Sequence, residues 1–332
     1  YGAPVHTFVA EVFDTLTRYP YGNGFMSFEG DVDMVRGPIS NDSWDRVYWT
    51  DGEQPKYSTS DQGGASGLDL GVPAPSSGPV VGAVTGTEDD GAIEIDCAYI
   101  VTYLTKYGEE GPPSPPSVLI NRFDGKTQIL TSLPGNPLGK VDITGIRIYR
   151  TESGGTFNHV IDLPIGTTEF ADGIKSVELG IDCPSIDWLA PDSRLMGLTY
   201  LGNGILAGFF ENTLCFCEPN YPHAWPIDYR LAFKDDIVGI GAVGSGLVVT
   251  TSEEPWLVYG SHPSNMSQNI TDTPYACVSK RSMVDMGAYV LYASNDGLVA
   301  AAGGDSKLVS SAVISSSDFK ALNPETWKAF RL

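Results

Sequence analysis

The sequence is short of basic residues, of histidine and of long apolar runs, and each shortage narrows what the chain can be. No apolar run approaches the ~20 residues of a membrane-spanning helix, so insertion into a membrane is not expected. Lys and Arg number 20 against 41 Asp and Glu, a formal charge of −21. A surface of that sign repels phosphate, which argues against DNA binding through a basic face. Blocks of the helix formers Ala, Glu, Lys and Leu are scarce. Only five cysteines occur, at positions 97, 183, 215, 217 and 277, and none has C-x-x-C spacing. Cys215 and Cys217 fall on one face of an expected strand. No cluster of His or Cys completes a four-ligand zinc site, so buried free thiols are expected, without a metal. The four histidines, at 6, 159, 223 and 262, are not within metal-ligand spacing of one another. No G-x-S-x-G elbow, H-E-x-x-H helix or phosphate-cradling glycine loop is present, so neither an enzyme nor a cofactor is expected.

What is abundant points to strands. Glycine (38), proline (23) and tyrosine (16) in a chain of 332 residues suit short strands joined by tight turns. The length implies two or three domains, and the fold class expected is all-β. Residues 1–78 read as an irregular β-rich segment ending in a linker or arm. Short β-like pieces appear there at 6–13 and 46–50, and 58–82 is rich in Ser, Gly, Pro and Ala.

Residues 79–188 read as a fibronectin-like β-sandwich. Residues 98–104 form a β-rich run with alternating aromatics. Residues 107–117 hold too many Gly and Pro to continue a sheet. Residues 143–151 alternate Ile146 and Ile148 against Arg147 and Tyr149.

Residues 189–332 carry a repeat. Apolar runs begin at Gly204, Gly246 and Ala288, 42 residues apart, each followed by a four-residue turn and a second apolar run. That period matches a four-stranded propeller blade, so about three blades of an incomplete β-propeller are expected. A further copy would begin near residue 330, and the chain starts at Tyr1 without a leader, so a fragment of a longer product is expected. The turn Ser294-Asn295-Asp296-Gly297 is similar to a sialidase aspartate box, but its Gly comes one place early and no Thr-Trp follows, so a hairpin turn is expected.

Several phrases together resemble a known family. They are Tyr48-Trp49-Thr50-Asp51-Gly52 with Pro55-Lys56, Val101-Thr102-Tyr103 through Gly108-Glu109-Glu110-Gly111-Pro112-Pro113-Ser114, and Thr144 through Thr151. Asn203 through Phe209, Pro222-His223-Ala224-Trp225-Pro226 and Cys277 through Val284 complete the set. In combination they resemble the tail nozzle, or tail tubular protein B-like, proteins of short-tailed bacteriophages. The resemblance implies a structural virion protein made in the bacterial host cytoplasm. It implies a homohexameric ring beneath the portal, in contact with portal or adaptor and with tail fibre or tip proteins. DNA would pass its lumen without specific binding. The charge agrees, because an acidic wall does not hold phosphate. Glu109 and Glu110 in the sandwich turn, and Glu253 and Glu254 in a hairpin turn, are the candidate lumen residues, since turns are exposed. The alternative is a glycan-binding or glycan-cleaving propeller, such as a receptor-binding or depolymerase tail protein, which needs carboxylates and aromatics gathered on one face.

Overall fold

The computed structural model describes residues 15–18, 25–60 and 67–331, and these are almost entirely β. The chain divides into two compact units, one of Tyr1–Leu70, Pro191–Pro222 and Asp228–Leu332, the other of Gly71–Ala190 with His223–Ile227. The first is called unit 1 and the second unit 2.

Unit 1 opens with an antiparallel pair, β1 (Thr15–Arg18) and β2 (Phe25–Phe28). A four-stranded antiparallel sheet follows, of β3 (Asp33–Arg36), β4 (Val47–Thr50), β5 (Lys56–Ser58) and β6 (Leu68–Asp69). These four short strands make a regular sheet within the segment that the sequence reads as irregular and β-rich. Strands of two to four residues, separated by Gly, Ser and Asp, leave little periodicity to see. What makes them a sheet is burial: all four residues of β4 are buried, and Val47 and Trp49 form a small core with Met26 and Val32. The β-like piece at 6–13 lies outside the described residues.

Unit 2 is a sandwich of seven strands: β7 (Val80–Gly86), β8 (Ile95–Thr105), β9 (Ile120–Arg122), β10 (Lys126–Thr131), β11 (Ile143–Glu152), β12 (Phe157–Pro164) and β13 (Glu169–Asp172). Its sheets have the orders β13-β10-β7 and β12-β11-β8-β9. These are the pairings D-E-B and G-F-C-C′ of an immunoglobulin-type sandwich, except that the strand in D's place comes last in the chain. The alternation works as expected on one face. Ile146 and Ile148 of β11, with Cys97, Tyr99, Val101 and Tyr103 of β8, face Leu130 of the other sheet. On the outer face Tyr149 is also fully buried, packed with Ile100 and Cys183.

Three more sheets complete unit 1. They are β14 (Met196–Gly202) to β17 (Arg230–Ala232) through β15 (Ile205–Phe210) and β16 (Thr213–Phe216); β18 (Ile237–Val243), β19 (Gly246–Thr251), β20 (Pro255–Tyr259) and β21 (Ser267–Ile270); and β22 (Val284–Asp285), β23 (Val290–Ala293), β24 (Leu298–Ala302) and β25 (Asp305–Leu308). Each is an antiparallel meander in chain order. The 42-residue repeat supplies the two middle strands of each, which are largely apolar, and every residue of β15 is buried. Unit 1 thus holds four blade-like sheets where the repeat revealed three. The first strands pack in series, β14 on β3, β18 on β14 and β22 on β18.

Unit 2 also buries charge. Arg150 and Asp172 are both fully buried, with Arg150 Nη1 2.5 Å from Asp172 Oδ2, and the Tyr99 hydroxyl donates to the same oxygen at 2.7 Å. Arg150 also holds Glu152 Oε1 through Nη2 at 2.7 Å, so removing Asp172 leaves it one acidic partner, and the cost falls toward the lower end of the about 3–5 kcal/mol of a broken buried pair. Asp172→Ala should lower stability by that order in urea unfolding of the full chain. Arg150→Met added to Asp172→Ala should recover part of the loss. Equal losses in the single and double variants would contradict this.

Candidate functional site

The backbone around Glu110 is set by proline placement. After β8 the chain reverses and residues 109–117 run back along it. Thr105 N–H donates to Glu109 O, and Gly111, Ser114 and Ser117 N–H donate to Tyr103, Val101 and Tyr99 O at 2.8–3.1 Å. Pro112, Pro113, Pro115 and Pro116, which have no N–H, occupy the positions between those donors. The stretch read as unable to continue a sheet covers one side of β8 in this way.

This path carries Glu110 inside. Its Oε1 accepts the hydroxyls of Tyr149 (2.6 Å), Thr102 (2.8 Å) and Ser185 (3.3 Å). Its Oε2 accepts Arg147 Nη1 at 2.7 Å, and the same guanidinium holds Asp162 through Nε and Nη2. The Glu110 carbonyl accepts His223 Nε2–H at 3.1 Å, and His223 Nδ1 lies 3.7 Å from Glu109 Oε1. Trp188 meets the His223 ring edge-on, and Trp225 N–H donates to Leu189 O. Burial, reinforced by the bond to Glu110, raises the Tyr149 phenol well above its ordinary value. A carboxylate that accepts from four side chains is held still rather than presented to a substrate. The arrangement pins the β8 return, β11, Ser185 and the 223–227 segment together.

The premise that put Glu109 and Glu110 among lumen candidates fails. They are only 6% and 4% exposed, because the turn they occupy is folded over β8. Glu253 is exposed and Glu254 half-buried, in the β19–β20 turn, where Thr251 Oγ1 accepts both of their N–H groups. These two belong to unit 1 and the first two to unit 2. Sequence reasoning noted Thr102, Arg147, Tyr149 and His223 within separate phrases. It missed that they converge, since Thr102 and His223 lie 121 positions apart (223 − 102).

A second polar cluster lies in unit 1. Asp33 Oδ2 accepts Gly197 N–H at 2.9 Å and Lys280 Nζ at 2.5 Å, and its Oδ1 lies 3.0 Å from Arg281 Nη1. Arg281 also pairs with Asp31. One carboxylate on β3 thereby ties its own sheet to β14 and to the approach to β22. It borders a cavity of about 440 Å³ lined by the four first strands. Among the described residues no three His, Cys, Asp or Glu side chains gather as metal ligands. The turn Ser294–Gly297 joins β23 to β24, with Ser294 Oγ accepting Asp296 and Gly297 N–H. All five cysteines are free and buried.

Comparison of the chain with protein-family models and with curated proteins finds no match.

Burial pushes the Cys97 thiol up to about 11 and those of Cys215 and Cys217 up to about 12, from an ordinary 9.0. A thiol whose folded value is raised favours the folded state below pH 9 and loses that contribution as pH climbs to the folded value. Stability should therefore fall between pH 9 and 12, and native protein at pH 8 should leave all five thiols unlabelled by iodoacetamide. Labelling of any cysteine before unfolding would contradict the burial described here.

Proposed function

We propose that the chain is a structural virion protein of a bacteriophage tail, a nozzle-type ring that forms part of the DNA ejection channel. In this reading it is a homo-oligomer, a hexamer by resemblance, that joins the portal or adaptor to the tail tip. The four sheets of unit 1 are blades of a propeller, and unit 2 is a sandwich inserted in the chain between the first and second blades.

The observation that carries the reading is where the resembling phrases lie. Thr102, Glu109, Glu110, Arg147, Tyr149 and His223 come from three of those phrases and gather at Glu110, three of them on its carboxylate and His223 on its carbonyl. Tyr48 and Trp49 of a fourth are buried in β4. The phrases that carry the resemblance thus fall at positions that hold an architecture together, which is what a ring component needs and a catalyst does not. The formal charge of −21 adds a physical reason. A wall of net negative charge lets a polyanion slide past without the counterion-release affinity that basic residues would supply.

Negative-stain microscopy of tailed particles decorated with an antibody to this chain should place label on the tail axis, with six-fold symmetry in end-on averages. Label on lateral fibres, or hydrolysis of a capsule polysaccharide by the purified protein, would refute the reading in favour of a glycan-directed propeller.

A further inference from the structure

A ring built from one kind of chain needs two unlike surfaces that fit each other, because a heterologous contact joins different patches of neighbouring copies. Two surfaces of this chain differ in the sense such a contact requires, one a protruding apolar tip and the other an uncharged cavity. The first is the loop of residues 132–142 between β10 and β11. Leu138 stands at its tip fully exposed and Val141 is 74% exposed. The loop is not slack. Gly135 O accepts the Tyr103 hydroxyl, Lys140 Nζ donates to Gly71 O, and Lys140 N–H closes a turn on Pro137 O. Tying Lys140 back leaves Leu138 unshielded. From 125 to 141 the sequence holds two lysines and no acid, on a chain of net charge −21.

The second surface is a cavity of about 470 Å³ in unit 1, floored by buried Leu247 and Val258 and walled by Leu257, Tyr259 and Ile270. Asn269 Nδ2 donates to the Tyr259 hydroxyl at 2.8 Å and fixes that ring, which is 48% exposed. The Gly303–Gly304 turn keeps the mouth open, since a Cβ at either position would meet no neighbouring atom. No charged side chain lines the cavity.

We propose that Leu138 of one copy inserts into the Leu247–Tyr259 cavity of the next copy, and that this knob and pocket form the subunit contact of the ring. The inference rests on the ring reading above. Two copies that each carry −21 repel across most approaches. The exposed tip carries no acid, since Asp142 at the loop's end is buried, and its entry into an uncharged cavity removes apolar surface from water without bringing carboxylates together or burying a charge. Interface cores are depleted in charge and anchored by aromatics, which matches the cavity's Tyr259. The loop is ordered in advance by its base contacts, so little entropy is lost when it docks.

The test uses the full chain. Light scattering after size exclusion should give a ring-sized mass for the wild type. Leu138→Asp should raise the concentration needed for assembly at least about tenfold, equivalent to 1.4 kcal/mol. Below the assembly concentration its melting temperature should match that of the wild type, because the tip is fully exposed in its own chain. Leu138→Cys combined with Ser245→Cys at the pocket rim should form intermolecular disulfides under mild oxidation, and neither single variant should. The native thiols are buried and do not compete. Rings that assemble equally well with Leu138→Asp, or absence of the paired disulfide, would overturn the contact and leave the ring reading standing. A wild type that stays monomeric at every concentration would overturn both.

Discussion

A carboxylate taken out of water must be given donors, and much of unit 2 is arranged around meeting that demand twice. Glu110 receives three hydroxyls and a guanidinium, while Asp172 receives Arg150 and Tyr99. The two sites draw on opposite faces of the same pair of strands. Tyr149 and Arg147 point outward from β11 to Glu110, and Arg150 and Tyr99 lie on the other face. Register follows from this, because a one-residue slip of β11 on β8 would send every one of these groups to the wrong side. Charge pairs of this kind add little net stability over an apolar core but penalise misassembly heavily.

Unit 1 solves a different problem. Its middle strands are largely apolar and bury most of their residues, so the sheets lean on one another through their first strands. The first sheet is separated in sequence from the other three by the whole of unit 2. Asp33 is the polar link that reconnects it, through Gly197 on one side and Lys280 and Arg281 on the other. These contacts cluster on the first strands, where the sheets come closest around the cavity.

Both units therefore spend their buried polar groups on holding strands in place. The candidate acids fall into the same division. Glu109 and Glu110 belong to the internal frame, whereas Glu253 and Glu254 stand on the turn between β19 and β20, where Thr251 Oγ1 holds their N–H groups.

The sequence alone determined the all-β class, the middle strands of three sheets and the inward face of β11. Each follows from composition, a 42-residue period or an alternation within a few residues, which are local signals. It did not reveal how β3 to β6 pair, because strands of two to four residues carry too short a pattern to read and are defined only by their partners. Nor did it reveal that Glu110 is buried, since two adjacent acids between Gly and Pro read as a solvated turn. The tertiary structure decided that, because the donors that make burial tolerable come from Thr102, Arg147, Tyr149 and Ser185, and only folding brings those positions within hydrogen-bond reach of one carboxylate.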